Sequence, residues 1–114
     1  MRDNIDARTI DECLYCIGHI MEYTEGIHSI GSLLNDHKTY DAVLMNFVVI
    51  GECANRLSET AKQKCPSVDW RAVIGFRNFV AHQYFGLDMD LVWSTIRHDL
   101  PHLEASLIEL KSTL

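Results

Sequence analysis

Residues 41–61 read Asp-Ala-Val-Leu-Met-Asn-Phe-Val-Val-Ile-Gly-Glu-Cys-Ala-Asn-Arg-Leu-Ser-Glu-Thr-Ala. Val43, Phe47, Ile50, Ala54, Leu57 and Ala61 recur in alternating steps of four and three, which gathers them on one face of an α-helix. Leu44, Met45, Val48 and Val49 fill the gaps, so the first half of this helix is apolar all round and needs cover on two sides. A chain of 114 residues has few helices to supply that cover. The surplus apolar surface therefore predicts a central position in a helical bundle together with a homodimer.

The segments on either side extend the helical pattern. Ile10, Cys13, Leu14, Ile17, Ile20, Met21 and Thr24 share one face, predicting a first helix from about Asp6 to Ile27. Gly26, Gly31, Asn35 and Asp36 break the rhythm, so His28 to Lys38 reads as a connection with a short turn around Leu33 and Leu34. Pro66 should end the helix quoted above. Asp69 is a candidate N-cap, with Val68 before it and Val73 four positions inside forming a hydrophobic staple. A third helix is predicted from Trp70 to near Phe85, closed by Gly86, with Asp88 to Asp90 opening the next. Leu91, Val92, Ile96, Leu100, Leu103, Leu107, Leu110 and Leu114 carry the rhythm onward, and Pro101 must kink or divide that last stretch. No stretch alternates as a strand would. The expected fold is all-α, an up-and-down bundle of four to five helices spanning 1–114 as a single domain.

Bulk properties narrow the function. The polar N-terminus is no secretory signal and the apolar run from Ala42 to Gly51 is too short to span a bilayer, so a cytoplasmic protein is expected. Cys13, Cys16, Cys53 and Cys65 lack a loop-rich, secreted setting and read as reduced thiols. A net charge of −6 opposes nucleic-acid binding over the whole surface, so any RNA contact must be local.

Polar groups interrupt an apolar helix at Arg77, Asn78, His82 and Tyr84, within Gly75-Phe-Arg-Asn-Phe-Val-Ala-His-Gln-Tyr-Phe85. Arginine offers a permanently charged planar fork that matches phosphate, and histidine exchanges a proton near neutral pH, a combination suited to phosphodiester chemistry. On an ideal α-helix Asn78 and His82 stack on one face and Arg77 aligns with Tyr84, while Arg77 and His82 diverge by roughly 140°. Bringing both to one phosphate then requires the reach of Arg77 or a second subunit. Taken without further context, the same residues would fit a surface ion pair and a hydrogen-bonded interfacial histidine.

The order of motifs decides between these readings. Arg77-Asn-x-x-x-His82-x-Tyr84 follows the helix Ile50-Gly-Glu-Cys-Ala-Asn-Arg-Leu57 and the run Trp70-x-x-Val-x-Gly75. It precedes Tyr84-Phe-Gly-Leu-Asp88 and Asp99-Leu-Pro101. This closely resembles the HepT-like branch of the HEPN superfamily over nearly the whole chain. The resemblance implies a homodimeric HEPN bundle that is the toxin of a toxin–antitoxin pair, a metal-independent endoribonuclease needing no cofactor. His82 would act as general base or acid on the ribose 2′-hydroxyl, Arg77 would stabilise phosphate charge, and Asn78 would take the polar position beside it. It also implies a partner, an MntA-like nucleotidyltransferase antitoxin that transfers AMP to Tyr84, and leaves open whether homodimers assemble further with it into a larger hetero-oligomer. An AMP group there would set anionic bulk about 10 Å along the helix from Arg77 and obstruct RNA. Glu52 and Asn55 interrupt the central helix and are candidates to orient Arg77 or His82, with simple structural pairing as the alternative. A different role remains open, in which the chain is a non-catalytic HEPN partner that docks and regulates a nucleotidyltransferase.

Other features read more plainly. Cys13-Leu-Tyr-Cys16 has a metal-like spacing without a second pair, and Glu25-Gly-Ile-His28 is a lone Glu-x-x-His where a di-iron bundle needs two. His98 and His102 read as surface histidines. Trp70 and Trp93 read as core anchors rather than base-stacking platforms.

Overall fold

A computed structural model describes residues 2–80 and 89–114. Every regular element among them is helical. Helix α1 (Arg2–Tyr23), α2 (Ile30–Asn35), α3 (His37–Arg56), α4 (Glu59–Gln63) and α5 (Trp70–Gly75) lead into a 3₁₀ turn, Phe76–Asn78. Helix α6 (Met89–Ser94) continues through a π-helical segment, Thr95–Asp99, into α7 (Leu100–Ser112).

The core is the meeting of α1, α3 and α7. Ile10, Cys13, Ile17 and Ile20 of α1 pack with Val43, Leu44, Phe47, Ile50, Cys53 and Ala54 of α3, and Leu100, Leu103, Leu107 and Leu110 of α7 complete the cluster. The directions are fixed by contacts spaced along α1. The middle of α1 meets late α3 through Glu12 Oε2 and Arg56 Nη2 at 2.7 Å and the end of α7 through Asp11 Oδ1 and Lys111 Nζ at 2.6 Å. Asp6 reaches Ser58 just past α3, and Met21 shares a cleft with Pro101 at the start of α7. Helix α1 therefore runs antiparallel to both. Helix α3 holds the central place predicted for it, and Val48 and Val49 are only half-buried while Met45 stays 57% exposed.

The structure redraws several boundaries. Helix α1 starts four residues earlier than expected and ends at Tyr23, where the Thr24 hydroxyl donates back to the Ile20 carbonyl at 2.8 Å. The segment from His28 to Lys38 is more than a connection. Ser29 caps α2 by accepting from the Ser32 N–H, and Asp36 caps α3 through Thr39. The central helix does not continue to Pro66. It stops at Arg56, because Leu57 turns extended and Ser58 begins α4 as its N-cap, accepting from the Ala61 N–H at 3.1 Å. Buried Asp6 of α1 holds this break, its two oxygens accepting from the Ser58 N–H at 3.0 Å and hydroxyl at 2.6 Å. A carboxylate 52 residues away in sequence gives Ser58 a better partner than the helix would.

The proline in the last helix acts as expected. Pro101 has no N–H to donate, and just before it the turn widens so that the Leu100 N–H reaches the Thr95 carbonyl, five residues back. Asp69 caps α5 by accepting from the Ala72 N–H at 3.1 Å, flanked by buried Val68 and Val73 as the staple pattern required. Gly86 and Asp88 lie outside the described residues.

Asp6→Ala leaves two half-buried Ser58 donors without their acceptor, so a loss of about 1–3 kcal/mol in unfolding free energy is expected. Urea denaturation followed by helical circular dichroism checks it, and an unchanged midpoint would show that the Asp6–Ser58 tie does not hold the break.

Candidate functional site at the crossing of α3 and the 3₁₀ turn

Phe76 and Phe79 are three residues apart on a turn with three residues per revolution, so both rings leave the same side of it. That side meets α3. Fully buried Phe47 packs against Phe76 and Phe79 with ring centroids 5.1 and 5.0 Å away, and the two latter rings lie 5.1 Å apart. Edge-to-face and tilted pairs of this kind favour one arrangement over a range of looser ones. The residues between the two phenylalanines, Arg77 and Asn78, are consequently turned to solvent.

One turn of α3 beyond Phe47, the backbones come closer still. A Cβ on Gly51 would lie 2.6 Å from Arg77 Cγ, 2.8 Å from Arg77 N and 2.9 Å from the Ile74 carbonyl oxygen. Only glycine admits this contact, which seats the backbone of Arg77 directly on α3. The next residue, Glu52, then reaches Arg77, with Oε1 3.5 Å from Nη1. Glu52 is the ion-pair partner of Arg77 among the described residues. The pair is long and open, with side chains 38% and 50% exposed, so most of the guanidinium fork remains available to a phosphate.

The candidate residues fall into distinct groups. Arg77 and Glu52 are brought together, and Asn78 sits exposed beside Arg77 on the turn. Asn55 is exposed one turn along α3 from Glu52, and its side chain makes no hydrogen bond to the described residues. His82 and Tyr84 lie outside the described residues. One expectation about the motif is corrected. It does not occupy a continuous α-helix from Trp70, because α5 ends at Gly75 and Arg77 lies on the 3₁₀ turn. At about 120° per residue there, the ideal-helix angles between Arg77 and the later motif residues do not apply. The residues to which the sequence pattern gave no role here are Gly51, Phe76 and Phe79, while Phe47 was read only as part of the apolar face of the central helix. The available signal was a lone glycine inside a strongly apolar helix, which often marks a close backbone approach.

The remaining candidates have structural settings. The Trp70 indole N–H donates to the Lys62 and Cys65 carbonyls at 3.2 and 3.1 Å, anchoring α5 to the end of α4, and Trp93 packs against the core with Arg97 over its ring. His98 and His102 are exposed. The four cysteines are buried free thiols, and burial pushes the Cys13 thiol far up and Cys53 up to about 11, which keeps both protonated and unreactive. Among the described residues no helix is long and apolar enough to cross a membrane.

The class of protein is given by comparison with known ribonucleases. Residues 13–110 match the model of the ribonuclease HepT-like family, and the chain belongs to that family. It is 29% identical over 102 residues to a Thermococcus cleftensis protein carrying the name ribonuclease HepT, covering 90% of this chain and 92% of that one. It is 29% identical over 85 residues to an RNase-named protein of Methanocaldococcus jannaschii, covering 75% and 77%. An RNase-named protein of Caldanaerobacter subterraneus subsp. tengcongensis is 29% identical over 101 residues, covering 89% and 86%. No solved structure matches the chain.

Because the Glu52–Arg77 pair is exposed and long, it adds little to folding. Glu52→Gln is expected to shift unfolding free energy by no more than about 0.5 kcal/mol. Paired urea titrations measure this, and a loss several times larger would mean that the pair braces the crossing.

Proposed function

We propose that this chain is the ribonuclease toxin of a toxin–antitoxin pair, and that it cuts RNA at a site built on Arg77, Asn78 and His82. The observation that carries the proposal is the placement of Arg77. Its backbone is fixed on α3 at Gly51 while its guanidinium stands open beside Glu52, in a chain of the ribonuclease HepT-like family. A fixed stem with an exposed fork suits a group that must meet a phosphate in one geometry.

In this mechanism neutral His82 takes the proton from the ribose 2′-hydroxyl as the oxygen attacks phosphorus, or in protonated form supplies one to the leaving 5′-oxygen. Arg77 neutralises the charge that builds on the non-bridging oxygens, and Asn78 donates beside it. No metal ion is required for any of these roles. The acidic chain leaves phosphate binding to this local cationic point rather than to its surface at large.

Arg77 stands on an open surface, next to the face of α3 that exposes Met45 and leaves Val48 half-buried. A second copy of the chain laid on that face would enclose the arginine, so the active form is proposed to be a homodimer with a composite cleft. Tyr84, two residues past His82, is proposed as the control point, where an MntA-like nucleotidyltransferase antitoxin attaches AMP and blocks RNA entry by charge and bulk.

Arg77→Ala and His82→Ala should each reduce RNA cleavage by the purified protein at least about a hundredfold without unfolding it. Cleavage by the parent protein should persist in EDTA. Full activity in folded His82→Ala would exclude the assignment. Absence of cleavage in the parent protein, with Tyr84 still accepting AMP from a transferase, would favour the non-catalytic docking role.

A further inference from the structure

We infer that Gly51 is a positioning residue for Arg77, so that the missing side chain on α3 sets where the guanidinium meets RNA phosphate. The inference rests on Arg77 acting in cleavage and adds to it the element that fixes its location. Three atoms surround the place a Cβ would take, and two of them, Arg77 N and the Ile74 carbonyl oxygen at 2.8 and 2.9 Å, are main chain and cannot swing aside. The third, Arg77 Cγ at 2.6 Å, is the stem of the functional side chain itself. Ordinary carbon contacts begin near 3.5 Å, so even a methyl group forces the turn back from α3 by roughly 0.5 Å or more.

That retreat has a direction. The Phe47, Phe76 and Phe79 rings hold the turn against α3 one helical turn before Gly51, and α5 is tied at its far end by the Trp70 indole. With Trp70 anchored on one side and Phe79 on the other, the strain falls on the segment between them that passes Gly51, Ile74 to Arg77. Arg77 is thereby carried away from Glu52 while the bundle core of α1, α3 and α7 keeps its packing. The other described glycines lack this constraint: a Cβ at Gly18, Gly26 or Gly75 would meet nothing within 4 Å, and one at Gly31 would meet only the Ser29 hydroxyl oxygen at 4.0 Å. Displacements approaching an ångström at a catalytic group reduce rates by factors up to about a hundred, since reaction requires a near-attack geometry.

The test is a double-mutant cycle on the whole protein, with single-turnover RNA cleavage measured for the parent, Gly51→Ala, Arg77→Ala and the double variant. Gly51→Ala is expected to lower the rate about ten- to a hundredfold at saturating RNA, with a parental circular dichroism spectrum and little change in RNA affinity. In the Arg77→Ala background the same substitution should change the rate less than about threefold, because the group it positions is already gone. The Arg77 Nε–H resonance should also move in Gly51→Ala. Full activity of Gly51→Ala overturns the inference. An equal loss in both backgrounds overturns it too while leaving the ribonuclease assignment intact, and so does failure of Gly51→Ala to fold, which would make the glycine a requirement of folding. Parental activity in Arg77→Ala would remove the catalytic assignment and the positioning role together.

Discussion

The approach of the 3₁₀ turn to α3 at Gly51 is the constraint on which the rest of the site depends. Main chain meets main chain there at distances that no side chain tolerates, so the turn sits this close only because residue 51 has no side chain. Helix α3 in turn owes its own position to its long packing against α1, on the side away from α5 and the turn. The geometry around Arg77 is thus inherited from the bundle core through two contacts, the glycine seat and the phenylalanine cluster.

The cluster and the seat divide the work. Aromatic rings hold the turn by area and shape, which tolerates small adjustments, whereas the glycine contact acts by steric exclusion and tolerates almost none. Arg77 and Asn78 project between the two phenylalanines because a turn of three residues repeats its faces every third position. Exposure of the polar pair follows from burial of its neighbours, and needs no polar partner to enforce it. The loose ion pair with Glu52 fits this division, since it biases the guanidinium without holding it.

An acidic ribonuclease-family chain faces a difficulty, because its net charge of −6 repels its polymer substrate. Under the proposed function, a single arginine presented on a rigid support is one physical answer, in which geometry substitutes for a broad cationic surface. Beside it, α3 leaves Met45 exposed and Val48 and Val49 half-buried.

The amino-acid sequence by itself determined the helical class, the central place of α3, the Asp69 cap with its valine staple, and the disturbance at Pro101. Each is local, set by spacing, a capping side chain or a missing N–H. Arg77, Asn78, His82 and Tyr84 were likewise legible as a motif, because polar groups at fixed intervals in an apolar stretch of sequence stand out without a fold. Tertiary structure alone decided three other things. It ended α3 at Arg56, since the acceptor for Ser58 is Asp6, far away in sequence. It wound the motif's first residues as a 3₁₀ turn, since Phe76 and Phe79 share one partner on another helix. And it gave Gly51 its meaning, because a glycine in a helix is only a weakness until the backbone that occupies its missing side chain is in place.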